Sequence, residues 1–176
     1  MKAHFPSLKT SRLTLRPLLP EDAEALHRIY QSEGVLHYFP NPIPQPLVKV
    51  QLFIVRQQTH WETYSYGNWG ILLDGIADII GWAGLQYLPE LDETEVGFIL
   101  DRPFWGKGYA KEAAMASLDF GFEHFRMDHI IALVHPDNIA SRRVIEKCGM
   151  TYMETLSLWG IDLMRYRIEI SLPHVV

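Results

Sequence analysis

Apolar residues change their spacing several times along the chain, and each change predicts an element. Leu13, Leu15 and Leu18 alternate with polar neighbours, which predicts an opening strand. Pro20-Glu21-Asp22 then predicts a helix start, with acids in the first turn where the helix dipole favours them. A proline-rich loop (Pro40, Pro42, Pro44, Pro46) follows, and Leu47, Val50, Ile54 and Trp61 fall on the stripe of a second helix reaching about Tyr64. Asn68 to Leu73 reads as a strand closed by the turn signal Asp74-Gly75. Ile79 to Leu88 and Glu93 to Leu100 read as two antiparallel neighbours. Then come a helix from Ala110 to about Phe125, a strand from Ile130 to Val134, and a helix from Asn138 to Cys148 with Gly149 in the αL closing position. Two last strands, near Tyr152–Leu158 and Asp162–Ile170, flank a turn at Trp159-Gly160. The series predicts an α/β (α+β mixed) single domain over residues 1–176, about seven strands in one sheet with about four helices.

Composition narrows the function classes. With a net charge of −5 the molecule as a whole does not attract nucleic acid or anionic membranes. The single cysteine, Cys148, excludes an intramolecular disulfide, and the histidines show no metal-ligand spacing. Residues 1–12 lack the apolar run of a signal peptide, and nothing approaches 18 consecutive apolar residues. A cytoplasmic protein without metal, nucleic acid or membrane partner is expected.

The strongest chemical signal is Trp105-Gly106-Lys107-Gly108-Tyr109-Ala110, which lies between a strand and a helix. Ala110, Ala113, Ala114, Ser117, Leu118, Gly121, Phe122 and Phe125 line one side of that helix, small enough at its start to approach a sheet closely. The free N–H groups of its first turn, with Lys107 and Lys111 beside them, suit a pyrophosphate. A Walker loop needs Ser or Thr after Gly-Lys, where Gly108 stands; a dinucleotide fingerprint needs a third glycine where Lys111 stands. On these letters alone, an ordinary glycine-containing turn is equally allowed.

The loop resembles motif A of the GNAT acetyltransferase superfamily, Gln/Arg-x-x-Gly-x-Gly/Ala, with Gly108 and Ala110 matching and Trp105 at the Gln/Arg position. Thr10-Ser11-Arg12-Leu13-Thr14-Leu15-Arg16-Pro17 with Glu21-Asp22, Glu95-Val96-Gly97-Phe98, Asn138-x-x-Ser141 leading to Glu146-Lys147-Cys148-Gly149-Met150, and Asp162 followed by Tyr166 resemble further segments of its RimJ/RimL-like branch. The resemblance implies a GNAT fold: a mostly antiparallel mixed sheet, splayed beside the motif A strand. It also implies acetyl-CoA as co-substrate and direct attack by an amine. The backbone of Phe98, Ile99 and Leu100 would pair with pantetheine. Gly106, Lys107, Gly108, Tyr109 and Ala110 would hold the pyrophosphate, and Arg143 or Lys107 would reach the adenosine phosphate. Asn138 would position Ser141 or bind cofactor.

The attacking amine must be neutral. An α-amine (pKa near 8) is easier to deprotonate than a lysine (near 10.4) by roughly 3.4 kcal/mol. Glu95 is the expected base, sharing a strand face with Gly97, which leaves room; Glu93 is its rival. Many members of the family use a tyrosine as general acid seven residues after the motif B asparagine, but Ile145 stands there, so Ser141 is the remaining donor. Cys148 at a helix C-terminus reads as a small core residue and His135 as a strand-end residue. The expected acceptor is a protein N-terminal α-amine of the ribosomal-protein type. Small amines (polyamine, amino acid, aminoglycoside) and a non-catalytic acyl-CoA sensor are the alternatives. Acceptor choice is assigned to the loop Tyr38–Pro46, the second helix and the turn at Trp159, and aromatic residues near the last strands leave a homodimer open.

Overall fold

The computed structural model describes residues 5–169, so Ile170, expected to end the last strand, lies outside the described residues. Eight strands form one sheet: β1 (Leu8–Lys9), β2 (Leu13–Pro17), β3 (Asn68–Leu73), β4 (Gly81–Leu88), β5 (Glu93–Leu100), β6 (His129–Val134), β7 (Thr151–Leu158) and β8 (Ile161–Glu169). The helices are α1 (Ala23–Gln31), α2 (Leu47–Tyr64), α3 (Tyr109–Phe125) and α4 (Ile139–Lys147). Strand order is β1-β2-β3-β4-β5-β6-β8-β7, and every neighbouring pair is antiparallel except β5–β6. This is the mixed, mostly antiparallel sheet that the sequence predicts, with one strand more than expected.

The extra strand is β1. Two residues carry no detectable periodicity, yet Leu8 sits opposite Leu15 and packs against the core. A second difference lies at the first helix. Pro20–Asp22 form a short 3₁₀ turn and the α-helix begins at Ala23. Asp22 does not serve the helix dipole from an exposed first turn. It is buried and gripped by the two terminal guanidinium nitrogens of Arg16, each at 2.7 Å, with the Leu19 N–H donating to it at 2.7 Å. A buried carboxylate needs such partners, and Arg16 supplies them bidentately.

Two apolar layers flank the sheet. Val96 and Ile99 lie three apart on β5, so they point to opposite faces, and they belong to different buried clusters. The larger cluster sits under α3, which presents Ala113, Ala114, Ser117, Leu118 and Gly121 to the strands. Gly121 is needed there, because a Cβ would stand 2.8 Å from Ile130 and 2.9 Å from Leu85. The smaller cluster lies beneath α1 and α2, with Val50 and Ile54 of the α2 stripe in it. Between β7 and β8, Trp159 (φ 53°) and Gly160 (φ 81°) form a two-residue hairpin turn with both residues left-handed. Among the described residues no helix is long and apolar enough to cross a membrane.

Candidate active site

The parallel junction of β5 and β6 positions the site. Their register runs through one pair, Glu95 opposite Ile131, although β5 continues to Leu100 and β6 to Val134. Beyond that pair the strands part. The edge of β5 from Gly97 to Leu100 is still paired with β4 on its other side, Phe98 with Ala83 and Leu100 with Gly81. A cleft of ≈ 160 Å³ opens in the gap, lined by Glu95, Gly97 and Phe98 of β5, Leu133 and Val134 of β6, and Asn138 and Ser141 at the start of α4.

Glu95 points into this cleft. Its Oε1 accepts the Leu133 N–H at 3.2 Å, which satisfies a backbone donor stranded where the ladder stops. Burial raises the Glu95 carboxyl and outweighs the lowering effect of the bond from Leu133, leaving it raised to about 7. A carboxyl in that range can gain and lose a proton near neutrality. Glu93, two residues back, is committed elsewhere: it accepts from His129 Nε2 at 3.0 Å and is paired with Arg165, which also holds Glu154 at 2.7 Å.

Across the cleft, Asn138 caps α4, its Oδ1 accepting the Ser141 N–H at 3.1 Å. That bond fixes the first turn of α4 and hence the place of Ser141. Among the described residues the Ser141 hydroxyl has no hydrogen-bond partner and does not bond back to its own helix. Ile145 also lines the cleft, so the position of the family tyrosine is apolar here. Arg143 is exposed on α4, whereas Arg142 is tied to the Tyr166 hydroxyl and the Pro136 carbonyl. Cys148 is buried, and burial pushes its thiol up to about 11.

The loop between β5 and α3 has the geometry of an anion cradle. Gly106 (φ 73°) and Gly108 (φ 84°) are both left-handed, and Gly108 caps α3 with no side-chain hydrogen bond to its first turn. The N–H groups of Tyr109, Ala110 and Lys111 are therefore left for a ligand at the positive end of a 17-residue helix. Nothing lies within 4 Å of a Cβ built on Gly106, so the loop is open on that side. The residues present fit a pyrophosphate. Trp105, in the place of the family's Gln or Arg, donates its indole N–H to the Leu100 carbonyl at 2.7 Å and packs against Gly34. It thus ties the cradle to the end of β5.

An aromatic wall faces Glu95; the sequence points to its Tyr38 loop and its Trp159 turn but not to Trp82. Tyr38, Phe39, Trp82 and Trp159 line the cleft together with His135. Trp82 on β4 fills the space beside Gly97, 3.4 Å from where a Cβ would stand, and its indole donates to the Tyr30 hydroxyl at 3.0 Å. His135 packs against Tyr38 in a tilted arrangement, 5.3 Å between centroids. From the loop expected to choose the acceptor only Tyr38, Phe39 and Pro40 reach the cleft, and α2 contributes no lining residue.

A splayed parallel pair, a glycine cradle at the following helix and a carboxylate in the gap define a GNAT-type acyltransferase site. Residues 12–151 match the family model described as the acetyltransferase (GNAT) domain, and the chain belongs to that family of N-acetyltransferases. It is 33% identical over 170 residues to the uncharacterized Bacillus subtilis protein YkkB, covering 90% of this chain and 93% of that one. It is 30% identical over 161 residues to the FsC-acetyl coenzyme A-N(2)-transacetylase of Aspergillus fumigatus, covering 85% of this chain and 67% of that one. Among solved structures, the acetyltransferase from Agrobacterium tumefaciens str. C58 superposes with a TM-score of 0.82 at 29% identity, covering 97% of this chain and 98% of that one. GNAT acetyltransferases use acetyl-CoA.

Proposed function

We propose that the chain transfers the acetyl group of acetyl-CoA directly to an α-amine, and that the amine is the N-terminus of a polypeptide, as in the RimJ/RimL-like branch. The observation that carries the reading is Glu95, a carboxyl raised to about 7 in the cleft where β5 and β6 part. A base of that strength lies about one pKa unit below an α-amine and more than three below a lysine. Taking the proton from an α-ammonium costs about 1.4 kcal/mol, and from a lysine about 4.6 kcal/mol. Glu95 accepts the proton, the neutral nitrogen forms the C–N bond, and the C–S bond breaks. The Ser141 hydroxyl, on a helix turn that Asn138 caps through the Ser141 N–H, protonates the departing thiolate. Acetyl-CoA supplies the activated acyl thioester. The free edge of β5 from Phe98 to Leu100 is available to pantetheine, the loop Gly106–Ala110 to the pyrophosphate, and Arg143 or Lys107 to the adenosine phosphate.

A second reading, a small-molecule amine acceptor, is favoured by the size of the cleft and by the relative whose name describes acetyl transfer to an N(2) position. Thiol release measured against a panel of N-terminal peptides, lysine-bearing peptides with blocked N-termini, amino acids and polyamines separates the two. The proposal expects turnover on free peptide N-termini. Turnover confined to amino acids, to polyamines or to lysine side chains overturns it.

A further inference from the structure

The turn between β1 and β2 makes a cluster of contacts with the cradle. Glu112, in the first turn of α3, accepts the Thr10 hydroxyl at 2.6 Å, the Ser11 hydroxyl at 3.0 Å and the Arg12 N–H at 2.9 Å. Its other oxygen holds Arg12 Nε and Nη2, each at 2.7 Å. The third guanidinium nitrogen, Nη1, donates to the carbonyl of Lys107 at 3.0 Å, and the guanidinium lies over the Tyr109 ring at 4.5 Å. One arginine, brought from about 95 residues away in sequence, thus grips the cradle on both sides of Gly108.

The Lys107–Gly108 peptide is trans, so the Gly108 N–H points opposite to the Lys107 carbonyl. Glycine at a left-handed position can rotate its flanking peptide at little cost, and a free loop would sample both orientations. With the carbonyl bound to Arg12, only the orientation with the N–H turned away from Arg12 remains. We propose that Arg12 is a positioning residue for the cofactor: anchored by Glu112, it locks the Lys107–Gly108 peptide with its N–H aimed at the pyrophosphate. This rests on the acetyl-CoA reading above. It assigns a task in the site to the Thr10-Ser11-Arg12 segment of a strand turn, and it makes Glu112 part of the same device through Arg12.

The test measures CoA and dephospho-CoA binding by calorimetry for wild type, Arg12→Ala, Arg12→Lys and Glu112→Gln, with the Gly108 amide followed by NMR in the ligand-free proteins. Removing Arg12 is expected to weaken both ligands by the same factor, about 10-fold, the size of one lost hydrogen bond to a charged group. Arg12→Lys and Glu112→Gln should fall between, the Gly108 amide should broaden or shift before any ligand is added, and the kinetic loss should appear in KM for acetyl-CoA rather than in kcat. Unchanged affinity in Arg12→Ala overturns the proposal. So does a loss seen with CoA but not with dephospho-CoA, which would make Arg12 a direct contact of the 3′-phosphate. A Gly108 amide identical in all four proteins overturns it as well. Failure of wild type to bind either ligand would strike the acetyl-CoA reading itself.

Discussion

The loop Trp105–Ala110 and the aromatic wall of the cleft are built in opposite ways. The loop works through main chain: two left-handed glycines and the unpaired N–H groups of a helix turn, with side chains such as Trp105 and Arg12 holding it from behind. The wall works through side chains gathered from four places, the loop after α1, β4, the end of β6 and the β7–β8 turn. Each of its indoles is held by one hydrogen bond, Trp82 by Tyr30 and Trp159 by Glu90 at 3.1 Å. A main-chain device tolerates little change at its glycines, because any side chain there meets an unfavourable φ. A side-chain wall on loops and turns can change residue by residue while the sheet beneath it persists. The first suits a donor that stays the same, the second an acceptor that differs among relatives.

Glu95, on the cleft that the wall lines, offers the sharpest break. Glu95→Gln should lower kcat by about 100-fold or more. In wild type, kcat/KM should rise through an acid limb near pH 7, which the variant loses. Stability should move the other way. A carboxyl raised to about 7 stays protonated in the folded chain while the unfolded chain ionises near 4.5, so stability falls as pH climbs between those values. Removing that penalty should raise the melting temperature of Glu95→Gln at pH 8 by a few degrees, corresponding to at most about 3 kcal/mol. A variant that loses both activity and stability would place Glu95 in the scaffold instead.

On the loop, Gly108→Val puts a branched side chain at φ 84° with its Cβ 3.3 Å from Arg12. KM for acetyl-CoA should rise about 30-fold, from a strain of about 2 kcal/mol, with KM for the acceptor unmoved. Ser141→Ala should reduce kcat about 10-fold and shift the alkaline limb of its pH profile, since solvent replaces the donor. Unchanged turnover would remove Ser141 from that role. The smallest effect belongs to the wall: Trp159→Ala should change acceptor KM about three-fold and leave KM for acetyl-CoA alone. A change in both constants would dissolve the distinction between the two regions.

How much of this is legible in the letters follows the same division. Gly106, Gly108 and the small-residue stripe of α3 announce themselves because the need for a left-handed φ or a close helix leaves a residue type behind. Glu95 is legible as a strand residue beside Gly97, but its separation from Glu93 is not. That depends on Arg165 and His129, which arrive from β8 and β6. Trp82 reads as ordinary strand core; it pairs with Ile99, and only the reach of its ring over the neighbouring Gly97 brings it to the cleft. His135 reads as a strand-end residue and lines the cleft because β6 stops there. The Arg12–Glu112 pair, 100 residues apart, leaves no local trace at all.

The single rung between β5 and β6 has a mechanical consequence. It divides the sheet into a five-stranded and a three-stranded block, joined along their shared seam by one backbone pair and bridged by α3, which packs on β2, β4, β5 and β6. A seam so thinly stitched is where local opening should begin, and backbone amides of Gly97–Leu100 and Ala132–Val134 should exchange with solvent faster than their counterparts deeper in either block. A molecule lying in the gap with hydrogen bonds to β5 would act as a ninth strand, and the stiffness of the whole sheet would then depend on whether the donor substrate is bound.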